Sequence, residues 1–312
     1  MKTNLFALGI ALLVIFSTNS CKKDSLNSVN QEAQTVKDQP DPKNEDSGII
    51  TPEDSLVIFS HKCYEGKKHG LLKYGSIAHK DFVFTCAKML GLSDYRAQIM
   101  RDAAIMPDIY QSGLDNLYNQ QWSHAYIITK TLWGVQWLWG DADDDFNDNM
   151  TAIDGEGYNG KCARYYYNLG NKDLGDWYVG YACHYISDVS FVLHSTFPDL
   201  DMAIHHSDFE TWMDNNWYSG HNFSSIVNGV PVSSYYIITD LKAAIRNAAK
   251  ASNYSYSTNG KLAWDYYKSS GFPTSIGSGN SNCIYYTGKM IEEATKWTGG
   301  AVKYALASYN EW

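Results

Sequence analysis

Beyond about residue 75, apolar residues recur at intervals near 3.6, and strand-like alternation is sparse. The pattern predicts a helix over 76–90 (SIAHKDFVFTCAKML), which opens on Ser76, a good cap residue, and stops at Gly91. Further helices are expected over 122–138, 160–169, 177–196, 200–216, 238–251, 261–269 and 283–309. Together they describe an all-α bundle, punctuated by Tyr-Ser-Gly, Gly-Phe-Pro and Gly-Ser-Gly, with no internal repeat.

Before the body, the pattern changes twice. Lys2 is followed by an apolar run from Leu5 to Phe16, and small or polar residues then lead to Cys21. The run is too short to span a bilayer and reads as a signal peptide over 1–21. A cysteine directly after such a run is similar to a bacterial lipoprotein processing site, so lipidation of Cys21 is expected. The chain then reads as an exported bacterial protein, lipid-anchored to the envelope or otherwise secreted. Residues 22–55 are polar with almost no aromatic content, too poor in apolar surface to offset their ordering entropy. They are expected to form a flexible tether, leaving 56–312 as one large domain with its own core.

Composition adjusts this reading only slightly. The formal net charge is −9, and an acidic chain repels phosphate polymers at long range. Bound divalent ions would reverse that sign inside a cleft. Five cysteines follow Cys21 (Cys63, Cys86, Cys162, Cys183 and Cys283), none at a close metal-binding spacing, and Cys183 is expected in the core. The acidic run WGDADDDFNDNMTAIDGEGYNG invites a calcium-loop reading through Asp143, Asp145 and Asn147. Asp148 stands where such loops need glycine, and Asp154 stands where they carry a bidentate Glu. A solvated loop is expected there.

Chemistry concentrates in YACHYISDVSFVLHSTFPDLDMAIHHSDFE, residues 181–210. His184 and Asp188 are four apart and share a helix face, so they can grip one ion. On a continuous helix His194 falls roughly 9 Å further along the axis and off that face, better placed for a second ion. His206 and Glu210 are again four apart and suit that second site. Imidazole with carboxylate suits zinc, and mixed sets that leave room for water are typical of catalytic sites. Upstream, His79 lies near the start of the first helix, Asp108 follows Pro107, and His124 follows Trp122-Ser123. His205 is a register rival for His206, while His61, His69 and His221 read as surface residues.

These motifs resemble the zinc-dependent phospholipases C and their relatives, the fungal single-strand-specific nucleases. The phospholipases carry a pattern like HYLGD-x5-H followed by H-x3-E, which HYISDVSFVLH and HSDFE match closely; the nucleases carry HFIGD-x5-H and a later HSDWD. Tyr74-x4-His79 is similar to the spacing from the nucleases' first Trp to their first His, with Tyr in place of Trp and no chain end. The resemblance spans about residues 74–213. It implies three clustered zinc ions in an all-helical cleft. Asp108, His124, His184 and Asp188 would hold the first, and His194, His206 and Glu210 the second. His79 would bind a third, bridged to the first by Asp188. Asp108 would act as base or orient the attacking water, and Glu210 would assist at the leaving-group side.

The short span from His194 to His206 is closer to the phospholipases than to the nucleases. Abundant Tyr and Trp suit a lipid interface. The expected activity is therefore phospholipid cleavage to diacylglycerol and a phosphorylated head group, with no protein partner implied. A related nuclease or nucleotidase acting on nucleic acid ranks second. The third reading is a surface-anchored binding protein held together by structural zinc.

Overall fold

The computed structural model describes residues 76–111, 124–130, 136–151, 161–196 and 198–310. The expected signal peptide, Cys21 and the tether lie outside them, as do Cys63, His61, His69, Tyr74 and Asp154. The described residues are mostly helical. In chain order the helices are α1 (Ser76–Met89), α2 (Asp94–Ala103), α3 (Met106–Gln111), α4 (Ala142–Thr151), α5 (Ala163–Asn168), α6 (Lys172–Val189), α7 (Val192–Ser195), α8 (Leu200–Asn215), α9 (Ser224–Gly229), α10 (Leu241–Ser252), α11 (Asn259–Ser269) and α12 (Ser281–Ser308). None of the described helices is long and apolar enough to cross a membrane.

The bundle is organised around α6, which is buried at every position from Leu174 to Val189. A helix buried all round needs partners on every side, and α2, α4, α5 and α12 supply them. Gly180 allows a close crossing with α2. A Cβ built there would sit 2.1 Å from the Met100 carbonyl oxygen, so only glycine lets α2 approach so near. Caps fix the register of the main helices. Asn171 accepts from Leu174 N, Asp199 from Met202 N, and Asp240 from Ala243 N, each satisfying a backbone donor that the first turn leaves open.

Three expectations are corrected. The described parts of 122–138 are not helical: Ile127–Lys130 (β1) and Gln136–Trp139 (β2) pair antiparallel, with Ile127 opposite Trp139 and Lys130 opposite Gln136. Isoleucine, threonine and tryptophan favour the pleated state, and their alternation is short enough to pass for a helical face. In its described part the acidic run around Asp143 is not a loop. It forms α4, which buries Ala142, Phe146 and Met150 at spacings of four. Its early aspartates suit a helix N-terminus and pair with α10, Asp143 with Arg246 and Asp144 with Lys242. Finally, 177–196 is not one helix. The Ser187 hydroxyl lies within bonding distance of Cys183 O and His184 O, and Ser190 Oγ donates to Ile186 O. Such back-bonding weakens the ladder. The chain leaves α6 at Val189, passes through extended Phe191 and restarts as α7.

Candidate metal centre

The middle of the site is set by the last two turns of α6. His184 and Asp188 stack one turn apart, with His184 Nε2 3.0 Å from Asp188 Oδ2. The other nitrogen of His184, Nδ1, donates to the carbonyl of Ala104, just beyond α2, at 2.8 Å. That bond fixes the ring and leaves Nε2 aimed inward, the arrangement that metal-binding imidazoles use. The close crossing at Gly180 is what brings α2 within reach.

Three groups of side chains converge here, each with ligand atoms within 4.8 Å of one another. Asp108, His124 and His184 make the first. His124 Nδ1 is 2.7 Å from His184 Nε2 and 3.7 Å from Asp108 Oδ1, and Asp108 Oδ1 is 3.5 Å from His184 Nε2. Asp188 joins them through Oδ2, 2.8 Å from His124 Nδ1. His124 lies in the turn before β1 rather than on a helix, and Asp108 comes from the first turn of α3.

His79, His184 and Asp188 make the second group. His79 Nε2 is 3.1 Å from Asp188 Oδ1, and its Nδ1 is 2.6 Å from Ser187 Oγ. The Ser187 hydroxyl donates to a backbone carbonyl of α6, so it accepts from His79 Nδ1–H and leaves Nε2 facing Asp188. Ser187 carried no sequence signal of this role.

His194, His206 and Glu210 make the third group. Glu210 Oε1 lies 3.0 Å from His206 Nε2 and 3.3 Å from His194 Nε2. The break between α6 and α7 turns His194 back towards the helix end. Its Nε2 is 4.0 Å from Asp188 Oδ1, so the axial separation expected of a continuous helix does not arise. His205 is turned elsewhere, with Nδ1 donating to Asp208 Oδ2 (2.8 Å) and its ring stacked on Phe272, centroids 3.7 Å apart. His221 is half-buried rather than a surface residue, with Nε2 donating to Ser278 O.

Imidazoles and carboxylates shift each other within the cluster. Burial alone would lower the His184 imidazole, but Asp188 and Asp108 raise it to about 9. Burial also works against His194, which Asp188 and Glu210 raise to about 9. The carboxylates move oppositely. Burial would raise Glu210, yet His206 and His194 bring it down to about 2. Asp188 is held well below the usual carboxylate range by His184, His194 and His79, again against its burial. Opposite charges a few ångströms apart favour each other's ionised forms, and here that outweighs burial.

The donor set fits divalent metal ions. Imidazole nitrogens and carboxylate oxygens converge, and two of the imidazoles are oriented from behind by Ser187 and Ala104. The groups grade outward from fully buried His184 to His206, whose side chain is 38% exposed, so the centre opens on the α8 side. A cavity beside His79, Asp188, His194 and Glu210 has Phe191, Phe209 and Met213 as its apolar wall. Among the described cysteines, Cys86, Cys162, Cys183 and Cys283 are buried free thiols and contribute no ligand to these groups. No family model matches the chain, and no curated protein matches it.

Proposed function

We propose that this protein is a zinc-dependent phosphodiesterase of the phospholipase C type, cleaving a phospholipid into diacylglycerol and a phosphorylated head group. The observation that carries the reading is the double use of Asp188. One oxygen faces His124 and His184 and the other faces His79, with His194 beside it. Clustered ions sharing a carboxylate are suited to clamping the oxygens of a phosphoryl group in displacement.

Bound zinc would supply Lewis acidity and a water that loses its proton near neutral pH. The chain's own residues do the rest. His124, His184 and Asp188 fix the inner edge of the site. Asp108, with its side chain 30% exposed, orients the attacking water and takes its proton. Glu210 stands at the outer edge, where its ionised carboxylate would orient a water that protonates the departing diacylglycerol oxygen. The apolar wall of Phe191, Phe209 and Met213 keeps one side of the cavity free of competing polar groups. The group of His194, His206 and Glu210 offers three side chains and lies towards the open side, whereas structural zinc is closed by four protein ligands. That supports a catalytic site over the structural-zinc reading. Export and lipid anchoring through Cys21 would place the site against its membrane substrate.

The test is parallel assay of the purified protein on a choline phosphodiester and on single-stranded DNA, before and after chelation and with zinc restored. Zinc-dependent release from the choline substrate is expected. Hydrolysis of DNA alone would move the assignment to the nuclease branch, and tight zinc with neither activity would favour a structural role.

A further inference from the structure

The three stretches of backbone that carry His124, Asp188 and His194 all meet one short segment, Ser252–Tyr254, at the end of α10. This segment contributes no candidate ligand. Asn253 is fully buried. Its Nδ2 donates to Ile128 O at 2.9 Å and to Ser195 O, while its Oδ1 accepts from Ser255 N at 2.8 Å. Accepting that backbone N–H fixes which end of the amide faces which way. Both amide hydrogens are then spent on carbonyls, one four residues after His124 and one directly after His194.

Ser252 makes a second tie. Its Oγ is 2.7 Å from Val189 O and 2.8 Å from Ser195 Oγ. A hydroxyl has one hydrogen, so donation to Val189 leaves Ser252 accepting from Ser195. The end of α6, one residue past Asp188, is thereby linked to the end of α7, one residue past His194. Tyr254 N adds a bond to Thr196 Oγ1 at 2.8 Å, and Tyr126 N bonds His194 O directly at 3.0 Å.

We infer that Asn253, supported by Ser252, is a positioning residue for the metal centre: it sets the separation between the His124 group and the His194 group. α7 is a single turn, too short to hold its own orientation, and it follows a break in α6. Backbone bonds from Phe191 N to Asp188 O and from His194 N to Phe191 O carry the chain round the break. A brace from outside α7 adds to the Tyr126 N–His194 O bond in holding the His194 stretch against the His124 stretch. The buried amide is that brace. It binds two carbonyls from separate stretches with one planar group, so it ties them together without carrying charge. The inference rests on the metal reading above but not on any particular substrate.

The experiment compares zinc retention in wild type, Asn253→Asp, the milder Ser252→Ala, and Leu306→Ala. The last is a core control on α12, which carries no candidate ligand and where Leu306 is fully buried. Folding is checked by circular dichroism and Tm, and zinc release to a chromogenic chelator is followed in time. Asn253→Asp is expected to release about one equivalent roughly 10–100 times faster than wild type, the range found for groups that orient metal ligands. Ser252→Ala should shift the same phase less, and Leu306→Ala should leave it unchanged at an equal or greater loss of Tm. If Asn253→Asp does not fold, Ser252→Ala decides by the same criterion. Wild-type release in both variants, or equal acceleration in Leu306→Ala, would overturn the assignment. A wild type that holds no divalent ion would instead remove the metal reading, and the role of Asn253 with it.

Discussion

His79 Nε2 lies 3.1 Å from Asp188 Oδ1, the oxygen that His124 and His184 leave unused. Those two imidazoles meet Oδ2, at 2.8 and 3.0 Å. One carboxylate at the end of one helix therefore stands between two groups of ligands, and the site is built outward from it.

Asp188→Asn should be the most damaging conservative change in the centre. The amide keeps the shape but replaces one oxygen by a donor that cannot ligate, so one group loses its shared ligand and the other loses charge. A fall of more than about 100-fold in metal affinity is expected, beyond that for groups acting from behind a ligand. Activity should fall with it. Metal analysis after dialysis checks the first part, and full metal content with near-normal turnover would defeat the bridging arrangement.

The group around His79 should hold its ion least tightly. His184 appears in two groups, but one Nε2 lone pair serves one ion. With His184 committed to Asp108 and His124, only His79 and Asp188 remain for the other. Tyr74, whose spacing to His79 is similar to that of the nucleases' first Trp, is internal in the sequence, and an internal amide nitrogen has no lone pair to donate to zinc. About two tight ions and one loose one are expected. Ser187→Ala, which removes the acceptor behind His79 Nδ1, should weaken the loose site alone. Dialysis followed by metal analysis of wild type, His79→Ala and Ser187→Ala tests this; three tight ions insensitive to both changes would contradict it.

Uptake of metal should release protons near neutral pH. His184 and His194 are raised to about 9, so both are protonated at pH 7 in the metal-free protein, and zinc needs them neutral. Apparent affinity should rise with pH and level off near 9. Stability of the metal-free protein follows the linkage in the same window. For a histidine raised in the fold, the stabilisation is whole below the unfolded value of 6.5 and fades as pH climbs through about 9. Glu210, lowered to about 2, gives the opposite limb, lost as pH falls from the ordinary glutamate range towards 2. Calorimetry in buffers of different ionisation enthalpy would measure the proton release; none at pH 7 would exclude imidazolium pairs in the metal-free site.

The parts of this centre that were legible in the sequence obey a single local period. His184 with Asp188, and His206 with Glu210, need only the helical repeat, and each pair meets as expected. The position of His194 could not be read that way. It depends on Ser187 and Ser190 bonding backwards along α6 and on extended Phe191, which together fold the chain back. His124 was located by motif but assigned to the wrong element, because a short apolar and aromatic run satisfies both periods until its pairing partner is known. In α4 the acidic residues hid Phe146 and Met150, the residues that decide its burial. Asn253 left no trace at all, since its partners are carbonyls far away in sequence.

Gly180→Ala joins the fold to the chemistry in one substitution. The added methyl would fall 2.1 Å from Met100 O, a backbone atom that cannot turn aside as a side chain can. α2 must back away from α6, and overpacking of this kind costs about 1–3 kcal/mol. The Ala104 carbonyl moves with α2, and it is the group that orients His184 through Nδ1. Asp108, on α3 just beyond, is displaced in the same direction from His124 and His184. The variant should therefore melt earlier and also release zinc faster from the group containing Asp108, His124 and His184. Ala182→Gly, at a fully buried neighbouring position on α6, loosens the helix by about 1 kcal/mol without pushing α2 and should leave zinc release unchanged. Equal effects of the two on metal release would show that helix stability, and not the close crossing, holds His184 in place.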